Sequence, residues 1–297
     1  MNTYFKYITL TAIAVSLCSC NKETLPGDTD MQVQISAKIA PCVVTRVTED
    51  GTAFSDGDAI QVQNMDRKNK HTATYSYSAG TGKWNTTDEL YWNGDSDNTF
   101  NAWYPSNTAY DTFEIPANQT TGISAAEWMT ATTSAKRADE KVELSFSHHL
   151  AKVRVTVEGW TNEFAENEKV VNSLEIKSLS RVMYNQNDLA GDNSAIWIKT
   201  YTLQPNTSFL AIIAPGEYNS DKDIMQVYVN GSNAPLTVRT SSDIIIESGK
   251  AYNFKLTIGK VLATITSSVS VGEWNDMELD DQQASSQQAT DLTAEFM

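Results

Sequence analysis

From residue 31 the chain alternates strictly: Met31, Val33, Ile35, Ala37 and Ile39 are apolar, and Gln32, Gln34, Ser36 and Lys38 between them are polar. A period of two over ten residues marks a strand with one buried face, so residues 31–40 are expected to form the first β-strand of the folded region. Beyond Pro41 the pattern returns in short pieces at 59–63, 72–78, 89–92 and 99–104, separated by Asp56-Gly57, Gly80-Thr81-Gly82 and Asn93-Gly94. Asn-Gly and Asp-Gly accept the positive φ angles of tight hairpin turns. Residues 141–146 and 150–158 are the clearest later strands, the second carrying Val153, Val155 and Val157 in alternation. Further runs follow at 173–180, 195–203, 208–213, 224–229, 236–239, 251–258 and 262–271. Only 125–138 is compatible with a helix, and it is rich in threonine and lacks an apolar stripe.

Short strands at regular spacing with turn signals between them predict an all-β protein of sandwich type. About fourteen strands exceed one sandwich, so two in tandem are expected. Their spans are 31–147 and 148–279, with the boundary near 147–150, where one strand stops and the next begins. Residues 280–290, DDQQASSQQAT, read as a flexible spacer. The chain then ends in DLTAEFM, where Leu292, Ala294 and Phe296 alternate again with polar residues. That end reads either as a further strand or as a frayed terminus.

The other end reads differently. Lys6 precedes an apolar run at 8–17, too short to span a bilayer, which runs into Leu17-Cys18-Ser19-Cys20. This looks like a bacterial lipobox, so residues 1–19 are expected to be a lipoprotein signal peptide and Cys20 the acylated first residue of the mature chain. Several acyl chains on one cysteine would anchor it stably in the outer membrane. Residues 20–30 follow as a polar tether with a Pro-Gly pair. Lys22-Glu23 within it faintly resembles the charged surface-export signal of Bacteroidetes lipoproteins, and a plain linker explains it equally well.

Composition narrows the class. The 297 residues are 40% hydrophobic and 20% charged, enough to bury a sizeable core. A formal net charge of −15 disfavours nucleic acid and anionic lipid as partners. Of three cysteines, Cys18 leaves with the signal and Cys20 takes the lipid, so Cys42 has no partner for an intrachain disulfide.

Candidate chemistry is sparse, and no catalytic residue, cofactor or metal is called for. The nucleophile elbow, phosphate loop, dinucleotide fingerprint and zinc-helix motifs are all missing. His148 and His149 are adjacent on a predicted strand and therefore point to opposite faces, which suits structure better than a shared site. Asp56-Gly57-Asp58 and Asp95-Ser96-Asp97 offer oxygen ligands for calcium, but they are also ordinary turn residues. Seven tryptophans offer stacking surface for a sugar ring, with Trp92 beside Asn93-Gly94 and Trp160 after Gly159 as the better exposed candidates. They support an alternative reading as a surface glycan-binding lipoprotein accessory to an outer-membrane transporter.

An ordered series of segments carries a family resemblance. It begins at the lipobox cysteine and tether and continues through VTR ending at Arg46, FSDGDAIQV at 54–62 and FNAWYP at 100–105. LSFSHHLAKVRVTV at 144–157, APG at 214–216, GKAYNFKLTIG at 249–259 and the late Trp274 complete it. The chain resembles the fimbrillin family of Bacteroidales, the subunits of type V pili. The resemblance implies two transthyretin-like β-sandwich domains and a non-enzymatic role in cell adhesion. Its partners would be other pilus subunits, with a host or bacterial surface ligand as a further candidate. It also implies protease-triggered donor-strand exchange, with cleavage between Arg46 and Val47. Cleavage there would remove the strand bearing Val33, Ile35, Ala37 and Ile39. Leu292, Ala294 and Phe296 would form the donor strand offered to a neighbour.

Overall fold

The computed structural model describes residues 31–40, 53–67, 71–185, 188–191, 194–220, 222–260, 263–265 and 270–274. These form an all-β molecule whose only helical pieces, among the described residues, are three 3-10 turns at Ser124–Ala126, Arg137–Asp139 and Glu166–Glu168. The strands of the first half are β1 (Gln34–Ile39), β2 (Ala59–Asn64), β3 (Thr72–Ser78), β4 (Lys83–Asn85), β5 (Asn98–Tyr104), β6 (Thr112–Glu114), β7 (Met129–Ala135) and β8 (Lys141–His148). Then come β9 (Ala151–Trp160), β10 (Val171–Leu179), β11 (Arg181–Asn185), β12 (Asp188–Gly191), β13 (Ala195–Lys199), β14 (Tyr201–Gln204) and β15 (Ser208–Ile213). The last are β16 (Gly216–Tyr218), β17 (Met225–Val229), β18 (Leu236–Val238), β19 (Ile244–Ile246), β20 (Lys250–Ile258), β21 (Ala263–Ile265) and β22 (Ser270–Glu273).

A seven-stranded sheet runs β1-β8-β7-β5-β2-β3-β4. β7 and β8 pair only at Met129↔His148 and Thr130↔Ser147, which lets the sheet fold over at that point. The inward faces of β1 and β8 (Ile35, Ile39, Val142, Leu144, Phe146) thereby share one core with Ile60, Val62, Tyr75 and Phe100 of β2, β3 and β5. A second, separate core lies between the β14-β15-β9-β20-β21 sheet, with β22 also on β20, and the β13-β10-β17-β18 sheet. Val153, Val155 and Val157 fill it from one side, and Leu174, Ile176 and Val227 from the other. Phe113, Ile115, Ala126 and Trp128, which precede β7 in sequence, pack into this second core.

The helix-compatible stretch at 125–138 contains β7 flanked by two 3-10 turns. Its β-branched threonines favour extended backbone; Met129, Ala131 and Ala135 are buried on one face, and Thr130 is buried on the other.

Candidate functional site

β1 stands at the edge of the seven-stranded sheet and is held differently at its two ends. Residues 34–39 run parallel to β8 in the register Gln34↔Lys141 to Ile39↔Phe146, and Ala40 N donates to Phe146 O at 2.6 Å. At the other end Gln32 bridges Tyr91 antiparallel, Val33 N donates to Leu90 O, and Trp92 N donates to Met31 O. One strand thus closes the seam between β8 and the 90–92 segment. Its side chains show why it stays there: Val33, Ile35 and Ile39 are buried and Ala37 is half-buried against the core, while Gln32, Gln34 and Lys38 face solvent. The Tyr75 hydroxyl donates to Val33 O at 2.7 Å, and burial raises its pKa above the ordinary phenol value. Of the five apolar positions in the alternation, Val33, Ile35, Ala37 and Ile39 thus face the core, whereas Met31 is 45% exposed.

Cys20, Cys42, Arg46, Val47, Leu292, Ala294 and Phe296 lie outside the described residues. β1 ends seven residues before Arg46, and Trp274 is the last described residue before the C-terminal segment.

Trp92, expected to be an exposed stacking surface, is fully buried. The turn at Gly94, with φ +71°, sends the chain back so that Trp92 faces inward, edge-on to Phe100 with ring centroids 5.3 Å apart. Beside this turn the side chains of Asn64 and Asn98 are bonded at 2.7 Å, and Asn93 N donates to Asn98 Oδ1. Trp160 is half-buried and packs edge-on against Phe164. Trp92→Ala is therefore expected to cost about 3–5 kcal/mol of stability, read as a lower urea midpoint, because it empties a closed core.

The carboxylates proposed for calcium have local tasks. Asp58 accepts from Ser55 N and from the Tyr104 hydroxyl, Asp56 accepts from Ala79 N, and Asp95 and Asp97 lie against Arg137 and Lys136. Among the described residues no three His, Cys, Asp or Glu side chains gather as a metal ion requires.

The histidine pair lies at the junction of the two cores, and its rings have different neighbours. His148 stacks on Trp274 with centroids 4.0 Å apart, and its carbonyl accepts from the Ser248 hydroxyl. His149 lies against Trp128 and Tyr184 and shares a 2.6 Å hydrogen bond with Thr130 Oγ1. Burial lowers its pKa to about 4. Gly249, at φ +71°, closes the junction: its N–H donates to Leu150 O, and Trp274 N donates to Gly249 O.

Two buried ionisable groups here escaped the sequence reading. Lys152 is 2% exposed, with its ammonium 5.1 Å from the centre of the Trp274 ring. Glu127 is also buried; desolvation lifts its pKa to about 7, against the opposing pull of Lys152 and with a smaller push from Asp58. The available signal was Lys152 itself, a cation at the start of β9, where both faces of the strand are covered.

A profile of fimbrillin-like proteins matches residues 45–274. The chain belongs to the fimbrillin-like family. Solved structures share its fold. A proposed cell-adhesion protein of Bacteroides uniformis aligns with a TM-score of 0.59 at 18% identity, covering 83% of this chain and 99% of its own. A second, from Bacteroides ovatus, aligns with a TM-score of 0.60 at 17% identity, covering 83% and 98%. No curated protein matches the sequence. Membership of this family implies a fimbrial, cell-surface protein that associates with other fimbrial subunits.

Proposed function

We propose that this fimbrillin-like chain is a type V pilus subunit. In this reading it reaches the outer membrane as a lipoprotein on Cys20 and polymerises by donor-strand exchange after cleavage between Arg46 and Val47. The observation that carries the reading is β1 itself, a single edge strand that closes the first core and precedes Arg46. Its loss would uncover the backbone edge of β8 and the apolar floor under Val33, Ile35 and Ile39. Each buried aliphatic side chain is worth about 1.5–3 kcal/mol, so an open groove is costly and a replacement strand is strongly favoured. The C-terminal segment suits that task by pattern. Ile35, Ala37 and Ile39 read large, small, large at alternate positions, and so do Leu292, Ala294 and Phe296. In parallel register on β8, Leu292 would take the place of Ile35, Ala294 that of Ala37 and Phe296 that of Ile39. The two cores are taken as those of tandem transthyretin-like sandwiches, 31–147 and 148–279, the second also receiving side chains from 113–128.

Treatment of the purified protein with a trypsin-like protease is expected to yield a Val47 N-terminus by mass spectrometry, together with SDS-resistant ladders. Deleting residues 291–297 is expected to abolish the ladders. Complete cleavage that leaves only monomer would overturn the polymerisation reading, and resistance at Arg46 would overturn the processing step.

A further inference from the structure

Trp274, the last described residue, fixes the point at which the C-terminal segment begins. Trp274 is 2% exposed; its N–H is bonded to Gly249 O and its ring is stacked on His148, the last residue of β8. β8 is also the strand on which β1 lies, from Lys141 to Phe146. The root of the tail and the wall of the groove are therefore two ends of one strand. From His148 back to Val142, where a parallel strand entering with Leu292 would begin, β8 rises about 20 Å. The 17 residues at 275–291 separate Trp274 from Leu292. A flexible coil of that length has a root-mean-square span of about 23 Å.

We propose that, once β1 is gone, the chain's own C-terminal segment closes its own groove, giving a self-capped monomer that competes with strand donation to a neighbour. This inference rests on the strand-exchange reading and adds a regulatory step to it. A self-capped monomer and a subunit inside a polymer each hold one tail strand in one groove, so the contacts are the same in number. The choice is set by concentration. A tether whose span matches the distance presents its end at an effective concentration of about 1 mM. At about 1 µM free subunit, self-capping then exceeds donation about a thousandfold. Subunits crowded at a growing end would exchange, and dilute subunits would wait capped.

Cysteine chemistry separates the outcomes, because Cys18, Cys20 and Cys42 all precede Arg46 and a cut chain contains no cysteine of its own. Ser145 and Glu143 are on the exposed face of β8, with Lys38 and Ser36 opposite them, the positions that Glu295 and Thr293 would take. Two double variants of the full mature chain, Ser145→Cys with Glu295→Cys and Glu143→Cys with Thr293→Cys, are cut after residue 46, held at 1 µM and oxidised. The expected product is a disulfide-closed monomer that migrates faster than its reduced form in non-reducing SDS gels. Disulfides found only in dimers and larger species would overturn self-capping and leave donor-strand exchange standing. Absence of any disulfide in both variants, at 1 µM and at 1 mM, would overturn self-capping together with the reading beneath it.

Discussion

Replacing Ile35 and Ile39 together with aspartate is expected to lift β1 out of the sandwich without any protease. Both side chains belong to the first core, at 9% and 2% exposure, yet β1 has a sheet neighbour on one side only along 34–39. The substitutions forfeit about 3–6 kcal/mol of apolar burial for the pair and place two carboxylates where ionisation is unfavourable. For a domain of this size that corresponds to a fall in melting temperature of about 10 °C or more. Scanning calorimetry checks the fall, and a second scan with a synthetic peptide spanning residues 288–297 checks what refills the groove. The peptide is expected to restore part of the lost stability to the double variant and to leave the parent chain unchanged. An unchanged melting temperature would show that β1 does not close the core.

Glu127→Gln and His149→Gln are expected to give the chain opposite responses to pH. Glu127 titrates near 7 in the folded protein, above its ordinary value of 4.5. Between those values the native state holds a proton that the unfolded chain has released, so this group's contribution to stability falls as pH rises through the window. His149 titrates near 4, below its ordinary value of 6.5. Between those values the unfolded chain takes up a proton that the native state refuses, so this contribution falls as pH falls. The two windows overlap from 4.5 to 6.5, and each span is worth about 3 kcal/mol, so together they nearly cancel. Without Glu127, stability should decline by about 3 kcal/mol more than in the parent between pH 6.5 and 4. Without His149, it should rise relative to the parent by a similar amount, about 3 kcal/mol, between pH 7 and 4.5. Urea midpoints measured across this range test both, and parallel profiles for parent and variants would contradict the burial of these two groups.

Much of the fold was legible because strand patterning is local. Alternation at 31–40 named the buried face of β1 residue by residue, and LAKVRVTV named β9, since a strand with one covered face must repeat every second position. The ordered segments that end at Trp274 pointed to the family whose profile matches residues 45–274. Where patterning failed, a long-range contact had decided. Trp92 sits next to an Asn-Gly turn, which in sequence suggests exposure, but that turn folds it inward, with its backbone bonded to Met31 just ahead of β1. The stretch at 125–138 holds no strand alternation clean enough to read, and it is extended because β5 and β8 lie on either side of it.

The sequence by itself determined the all-β class, the one-sided character of β1 and the large-small-large pattern shared by residues 35–39 and 292–296, because each depends only on side-chain order along an extended chain. Tertiary structure alone decided that β1 is an edge strand parallel to β8. It also decided that Glu127, Lys152, His148 and Trp274 meet at one junction, and that Trp274 packs on the end of β8, the strand on which β1 lies. The β1–β8 pairing and the contacts of Trp274 with His148 and Lys152 join residues more than a hundred positions apart, and only packing brings them together.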